Sequence, residues 1–167
     1  VRILITGATG FAGGWLAQEL ATAYPNATLY GMSYHTTEVP AYLPPSITLR
    51  TADLATPDSL QALVSAAEPD VVFHLAGFAS GAGTDRERIF RINVEGTVRL
   101  LELLAGRKKP CRVLIASSGY VYGATNPEHP AQETDPLQAK GAYAESKAAM
   151  EIAVRPFAEG DSLALTV

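Results

Sequence analysis

Short apolar runs and amphipathic stretches take turns along the whole chain, and their order predicts strand, helix, strand, helix. Residues 1–5, apolar except for Arg2, have the length of a buried parallel strand. Phe11, Trp15, Leu16 and Leu20 recur at helical spacing and predict a helix with those side chains on its apolar face. A second strand is expected over 27–32 and a short third over 47–49. Between them Pro40, Pro44 and Pro45 keep 33–46 a loop. Thr56 can cap the next helix, Pro57 suits its first position and Asp58 its dipole; it should run to Ala67, with Pro69 beyond. A fourth strand over 71–76, a helix over 86–105 and a fifth strand over 112–116 follow. Residues 119–140 form a long polar connection containing Pro127, Pro130 and Pro136, and connections of that length often carry function. A helix should begin near Ala142 and stop at Arg155, because Pro156 cannot continue it. Residues 163–167 read as a last strand.

Strand–helix alternation implies an α/β protein with a doubly wound parallel sheet covered on both faces. Ligands in such sheets bind outside the carboxyl ends of the strands. Gly7, Ser33, Asp53, Gly77 and Ser117 all fall there on this reading. The first of these places is the most informative. Strand 1–5 runs straight into Thr6-Gly7-Ala8-Thr9-Gly10-Phe11-Ala12-Gly13 and then into the first helix. Gly7 permits a tight turn, Gly10 lets a pyrophosphate approach the backbone, and Gly13 lets helix and strand pack closely. The helix start then offers free N–H groups and a partial positive charge to phosphates. The strand before the glycines and the helix after them turn a weak pattern into a dinucleotide site.

Composition narrows the class further. With 167 residues, 47% hydrophobic and 18% charged, the chain suits one domain with a real core. No apolar run approaches the roughly 18 residues needed to span a membrane. A net charge of −4 argues against nucleic acid as the main partner. The cluster Arg107-Lys108-Lys109 reads as a solvated helix end. One cysteine, Cys111, excludes an internal disulfide, fits a reducing compartment and is expected to be a buried structural thiol. His35, His74 and His129 share no metal-ligand spacing with each other or with Cys111, so no metal is expected, and His74 reads as a core histidine. The chain starts without Met and ends in a strand with no turn after it, as a fragment would.

Tyr143 and Lys147 lie four apart at the start of a predicted helix, so their side chains face one way. Ser117-Ser118 follows the fifth strand. Together with the Thr6-to-Gly13 turn, Asp53-Leu54, His74-Leu75-Ala76-Gly77, Asn93-Val94-Glu95-Gly96-Thr97, Ser117-to-Gly123 and Tyr143-to-Lys147, these make the chain resemble the extended short-chain dehydrogenase/reductase family of sugar-nucleotide epimerases and dehydratases. The motifs stand in family order over nearly the whole chain. The resemblance implies an NAD(P)-binding Rossmann domain over 1–167 that lacks a C-terminal substrate region. It implies a cytoplasmic enzyme, a homodimer, acting on a nucleotide-activated sugar.

The implied catalytic trio is Ser118, Tyr143 and Lys147. A phenol with pKa near 10 is a poor base at neutral pH, and lowering it by about three units needs roughly 4 kcal/mol. A nearby ammonium would supply part of that. Tyr143 would exchange a proton with a sugar hydroxyl or ketone while Ser118 holds the same oxygen; Ser117 could be a back-up or a turn residue. The implied cofactor contacts are Gly7, Thr9, Gly10, Phe11, Ala12, Gly13, Ser33, Asp53, Leu54, Leu75, Ala76 and Gly77, with Tyr143 and Lys147. Asn93 is expected to make a structural contact to a neighbouring strand.

Two departures bear on specificity. NAD-preferring members carry an acidic residue where this chain has Ser33, followed by Tyr34 and His35. That tolerates a 2′-phosphate, to which Ser33 could donate, although the Arg of a strong NADP site is missing there. Hexose 4,6-dehydratases carry an acidic residue after the catalytic Ser or Thr, where this chain has Gly119 and Tyr120. Elimination is therefore disfavoured, leaving 4-keto reduction, as in GDP-4-keto-6-deoxymannose reductases, or epimerisation. A reductase of a non-nucleotide ketone or aldehyde on the same fold is the alternative enzyme. An NAD(P)-sensing regulator is the alternative of another class, and it would have no need of the proton relay.

Overall fold

A computed structural model describes residues 1–78, 85–107, 109–124, 126, 128–160 and 162–167; Lys108 and Pro127 lie outside them. Six strands, β1 (Arg2–Thr6), β2 (Thr28–Ser33), β3 (Thr48–Thr51), β4 (Val71–His74), β5 (Cys111–Ile115) and β6 (Leu163–Thr166), form one parallel sheet in the order β3-β2-β1-β4-β5-β6. Strand order reverses at β1, which sits between β2 and β4, and a crevice opens at such a switch point. The helices are α1 (Phe11–Ala23), α2 (Pro57–Ala67), α3 (Arg86–Phe90), α4 (Gly96–Ala105) and α5 (Ala142–Ala158).

Register decides which side chains meet which helices. Leu4 pairs with Val72 and Val72 with Val113, so all three point to one face. There they pack with Leu60 and Val64 of α2, Leu100 and Leu104 of α4, and Met150 and Val154 of α5. Ile3, Ile5, Leu29 and Leu49 point to the other face, against Ala17 and Leu20 of α1. Leu4, Leu100 and Leu104 are fully buried, and truncating such a side chain to Ala typically removes about 2–5 kcal/mol. Beyond α1 the second face is more open, and Leu114 of β5 remains 40% exposed.

Four expectations change. The apolar stripe of α1 is buried only in part: Leu20 is buried and Leu16 half-buried as expected, but Phe11 and Trp15 are 87% and 61% exposed, and Gly13, Gly14 and Ala17 are buried instead. The start of α1 lies so close to the turn after β1 that no side carbon fits at Gly13. The helix over 86–105 is broken by a π-helical turn, Arg91–Glu95, between α3 and α4. Pro156 does not end α5, which continues to Ala158. The ring deprives only the Ile152 carbonyl of its partner, and the Ile152 side chain is on the exposed side of the helix. The basic cluster is also more than solvated: Arg107 Nη2 donates to the Pro69 carbonyl, and Lys109 pairs with Asp70 at 2.6 Å. Cys111 is buried, and burial pushes its thiol up from the ordinary value. No described helix is long and apolar enough to cross a membrane.

Candidate active site

The turn after β1 is shaped by backbone approach. Gly7 has φ of +72°, and a carbon added to it would lie 2.9 Å from the Ala76 amide nitrogen. At Gly13 an added carbon would lie 2.1 Å from the Gly7 carbonyl oxygen, an impossible contact. No side chain caps α1 and no acidic residue stands in its first turn. The N–H groups of Phe11 and Ala12 therefore head an uncapped, electropositive helix start. Both residues are exposed, as is Gly10. Thr9 lies beneath Tyr42, whose hydroxyl donates to the Thr9 carbonyl at 2.9 Å. This geometry fits a pyrophosphate and would admit no bulkier side chain at Gly7 or Gly13.

At the far side of the switch point lies an open cleft of about 500 Å³, lined by Met32, Tyr34, His35, Asp53, Leu54, Ala55, Ala76, Gly77, Phe78, Arg88, Arg91 and Ile92. A second cleft of about 470 Å³, lined by Val1, Leu20, Ala27 and Val71 among others, lies at the opposite, amino end of the strands. The first has the position and polar lining of an adenosine site. Asp53 is anchored by its own Oδ1, which accepts from Ala55 N at 2.8 Å. Leu54 is buried and packs beneath the cleft against Gly96. Ser33 ends β2 but is itself buried, and its Oγ accepts from the backbone of His35 and Thr36 at 3.4 and 3.3 Å. Its hydroxyl thus shapes the loop rather than projecting into the cleft. Arg88 and Arg91, more than fifty residues away in sequence, bring the cationic charge to this cleft that the end of β2 lacks.

Behind Leu75 and Ala76 a buried chain of polar groups locks β1, β4 and α4 together. Ala76 N donates to Thr6 Oγ1 at 3.1 Å, and the Thr6 hydroxyl donates to His74 Nδ1 at 2.7 Å. His74 Nε2 donates to Thr97 Oγ1 at 2.8 Å, and Thr97 donates to the Asn93 carbonyl at 2.8 Å. His74 is thereby held neutral, and burial, with the nearby Lys147 charge, pushes its pKa down to about 3.

Asn93 lies at the centre of the π-helical turn, a device frequent at functional sites. Among the described residues its side-chain hydrogen bonds go to the connection after β4 and to α5, and not to a strand as the sequence suggested. Its Oδ1 accepts from Phe78 N at 2.6 Å, and its Nδ2 donates to Phe78 O at 3.2 Å and to Ser146 Oγ at 2.9 Å. Ser146 in turn donates to the Tyr143 carbonyl at 2.7 Å. Asn93 thus ties the connection after β4 to the first turns of α5, the helix that carries Tyr143. The sequence signal for this was the Asn93-to-Thr97 motif, but its partners are not legible from spacing.

The implied trio lies on two segments that adjoin at the end of β5, the 3-10 turn after it and the start of α5. Ser118 caps a 3-10 turn, Gly119–Tyr122, its Oγ accepting from Tyr120 N at 3.3 Å. Tyr143 is half-buried in the first turn of α5. One turn later Lys147 is 92% buried, its Nζ donating to the Ala116 carbonyl at 2.9 Å. A carbon added to Gly77 would lie 3.5 Å from Lys147 Nζ, so the connection after β4 passes directly over the ammonium. Burial pushes the Lys147 pKa down, and the Glu151 carboxylate works against that shift. Ser117 points elsewhere than Ser118: its hydroxyl donates to Glu151 Oε1. Glu151 has no place among the residues read from sequence, although it stands one helical turn beyond Lys147.

Comparison with known proteins agrees with this geometry. The family model described as the NAD dependent epimerase/dehydratase family matches residues 3–167. The chain is 35% identical over 156 residues to the GDP-6-deoxy-D-mannose reductase of Pseudomonas aeruginosa, covering 90% of this chain and 45% of that protein. It is 35% identical over 159 residues to a UDP-glucose 4-epimerase of Mycolicibacterium smegmatis, covering 91% and 50%. Among solved structures, a UDP-glucose 4-epimerase of Thermus thermophilus in complex with NAD superposes with a TM-score of 0.83 at 25% identity, over 95% of this chain and 51% of that one. A short-chain dehydrogenase/reductase superfamily protein of Agrobacterium tumefaciens with bound NAD gives 0.80 at 30% identity, over 96% and 46%. The chain spans about half the length of these relatives.

Proposed function

Since this chain belongs to the NAD dependent epimerase/dehydratase family, we propose that it is the cofactor-binding and catalytic half of an oxidoreductase that reduces a 4-keto-6-deoxyhexose carried on a nucleoside diphosphate. Ser118, Tyr143 and Lys147 carry the reaction. The observation that most supports it is Lys147, buried and pinned to Ala116 at the end of the strand that delivers Ser118, one helical turn from Tyr143. An ammonium so placed favours negative charge on the Tyr143 oxygen. Tyr143 then gives its proton to the substrate carbonyl oxygen, or takes one from a hydroxyl, while Ser118 donates a hydrogen bond to the same oxygen and holds it in line. The nicotinamide, when bound, supplies or accepts the hydride. The glycine turn and the α1 start would hold its pyrophosphate, and the cleft over Asp53, Gly77 and Arg91 its adenosine.

Reduction is preferred to elimination because Gly119 and Tyr120 put no carboxylate beside Ser118. NADP(H) is accepted at least as well as NAD(H), since Ser33 leaves the end of β2 without a carboxylate and Arg88 and Arg91 line the adenosine cleft. The second reading is a 4-epimerase, favoured by the equal likeness to the Mycolicibacterium protein. Both whole-protein activities are tested in one experiment on the full-length protein. Stoichiometric oxidation of NADPH by GDP-4-keto-6-deoxymannose supports the reductase. Interconversion of UDP-glucose and UDP-galactose without net cofactor turnover, and no NADPH oxidation, would replace it with the epimerase.

A further inference from the structure

We propose that Glu151 is a positioning residue that holds the Lys147 ammonium as its counter-charge, and that Ser117 serves to aim Glu151 rather than to meet substrate. The inference rests on the proposed role of Lys147, and the geometry adds what that role leaves open. Lys147 is 92% buried, and among the described residues its one side-chain hydrogen bond goes to a neutral carbonyl, Ala116 O. An ammonium taken from water to such a place needs a compensating negative charge nearby or it loses its proton. Glu151 stands four residues on, on the same face of α5, where side chains at i and i+4 are neighbours.

A carboxylate on a helix is free to swing to solvent unless something fixes it. Ser117 does so: it follows Ala116 directly, and its hydroxyl donates to Glu151 Oε1. Adjacent residues at the end of β5 thus fix the two side chains, the carbonyl of Ala116 taking the ammonium and the hydroxyl of Ser117 the carboxylate, which acts on the ammonium through space and without direct contact. The other groups facing Lys147 carry no opposing charge. His74 at the end of β4 is neutral. Asn93, Gly77 and Ser146 are uncharged, and Tyr143 lies one turn before on α5. Among the described residues, Glu151, one helical turn on and fixed by Ser117, is the carboxylate placed to raise the Lys147 pKa against the effect of burial. This also resolves the serine pair: neighbours in sequence, they face different partners, Ser118 the reacting oxygen and Ser117 the carboxylate.

The test uses the full-length protein with ¹³C-labelled lysine. The Lys147 Cε resonance, identified by its loss in Lys147→Met, is titrated in the wild type, Glu151→Gln, Glu151→Asp and Ser117→Ala. Glu151→Gln should lower the Lys147 midpoint by about 1 pH unit, the scale of losing one close opposite charge. The alkaline limb of kcat should move to lower pH by the same amount, because the neutral lysine forms earlier. Glu151→Asp keeps the charge and should return most of that shift. Ser117→Ala should shift the midpoint in the same direction by less, with KM for the sugar nucleotide unchanged. An unmoved Lys147 midpoint in folded Glu151→Gln would overturn the proposal, as would a raised substrate KM in Ser117→Ala without a shift. If Glu151→Gln does not fold, Glu151→Asp and Ser117→Ala still decide it. Because the resonance is read without turnover, failure here is separate from failure of the reductase reading.

Discussion

Lys147 Nζ donates to the Ala116 carbonyl at 2.9 Å, and this one bond joins the helix that carries Tyr143 to the strand that delivers Ser118. Ser118 stands 25 positions before Tyr143 in the chain, and its placement against Tyr143 and Lys147, both on α5, depends on α5 docking onto β5. The proposed proton relay would therefore inherit the rigidity of the core beneath it, where Met150 and Val154 of α5 are buried against Val113 and Ile115.

In the full-length enzyme, Tyr143→Phe should lower turnover by about 10²–10⁴-fold, the usual loss with a general acid–base. Cofactor affinity should stay within about twofold, since the phenol meets the reacting oxygen and not the pyrophosphate. Steady-state kinetics beside a fluorescence titration of NADPH separate the two. A variant retaining more than about a tenth of wild-type turnover would remove Tyr143 from the relay.

For the cofactor, NADP(H) should bind at least as tightly as NAD(H). Replacing both Arg88 and Arg91 with Ala should weaken NADP(H) by at least about tenfold relative to NAD(H), as loss of a charge-assisted hydrogen bond would. Calorimetric titration of both dinucleotides reads this without any sugar substrate. A tenfold wild-type preference for NAD(H) would show that the missing carboxylate at Ser33 does not govern the choice.

The buried His74 makes stability depend on pH in a definite direction. Unfolded, it takes a proton below about pH 6.5; folded, it refuses one until about 3. The unfolded state then binds more protons over that window, so stability falls as pH falls. Between pH 6.5 and 5 the loss should be about 2 kcal/mol. Asp70 and Glu145, whose carboxyls are held below their ordinary values by Lys109 and Arg86, add acid sensitivity only as pH drops through the carboxylate range. Urea unfolding at pH 7, 6 and 5 measures the slope. His74→Gln should flatten it, and an equal slope in that variant would place the dependence elsewhere.

Asn93→Ala removes the amide that satisfies both backbone groups of Phe78 and the Ser146 hydroxyl. Stability should drop by about 1–3 kcal/mol, the scale of stranding a buried polar group. Hydrogen-exchange protection of the Phe78 amide should fall more than that of the β4 amides. If Phe78 keeps its protection, the π-helical turn is not what holds the connection after β4.

Chemistry carried by adjacent residues was legible in the sequence. Gly7 and Gly13 announce a tight turn packed closely on the helix that follows, because such turns exclude a side carbon locally, and Tyr143 and Lys147 share a face because a helix returns every 3.6 residues. Strand–helix alternation likewise sufficed for a parallel sheet. What depended on distance in space did not show. Which positions of α1 are buried follows from how near the helix start sits to the turn after β1, and this reversed the expectation for Phe11 and Trp15. Arg88 and Arg91 reach the cleft over Asp53, Asn93 reaches Phe78 and Ser146, and Ser117 turns to Glu151, only because β4, β5 and α5 are docked in register. Hydrophobic periodicity reports one element's preference for burial and is silent about its neighbour. The polar partners of a buried group are set by that neighbour, so only the tertiary structure could decide them.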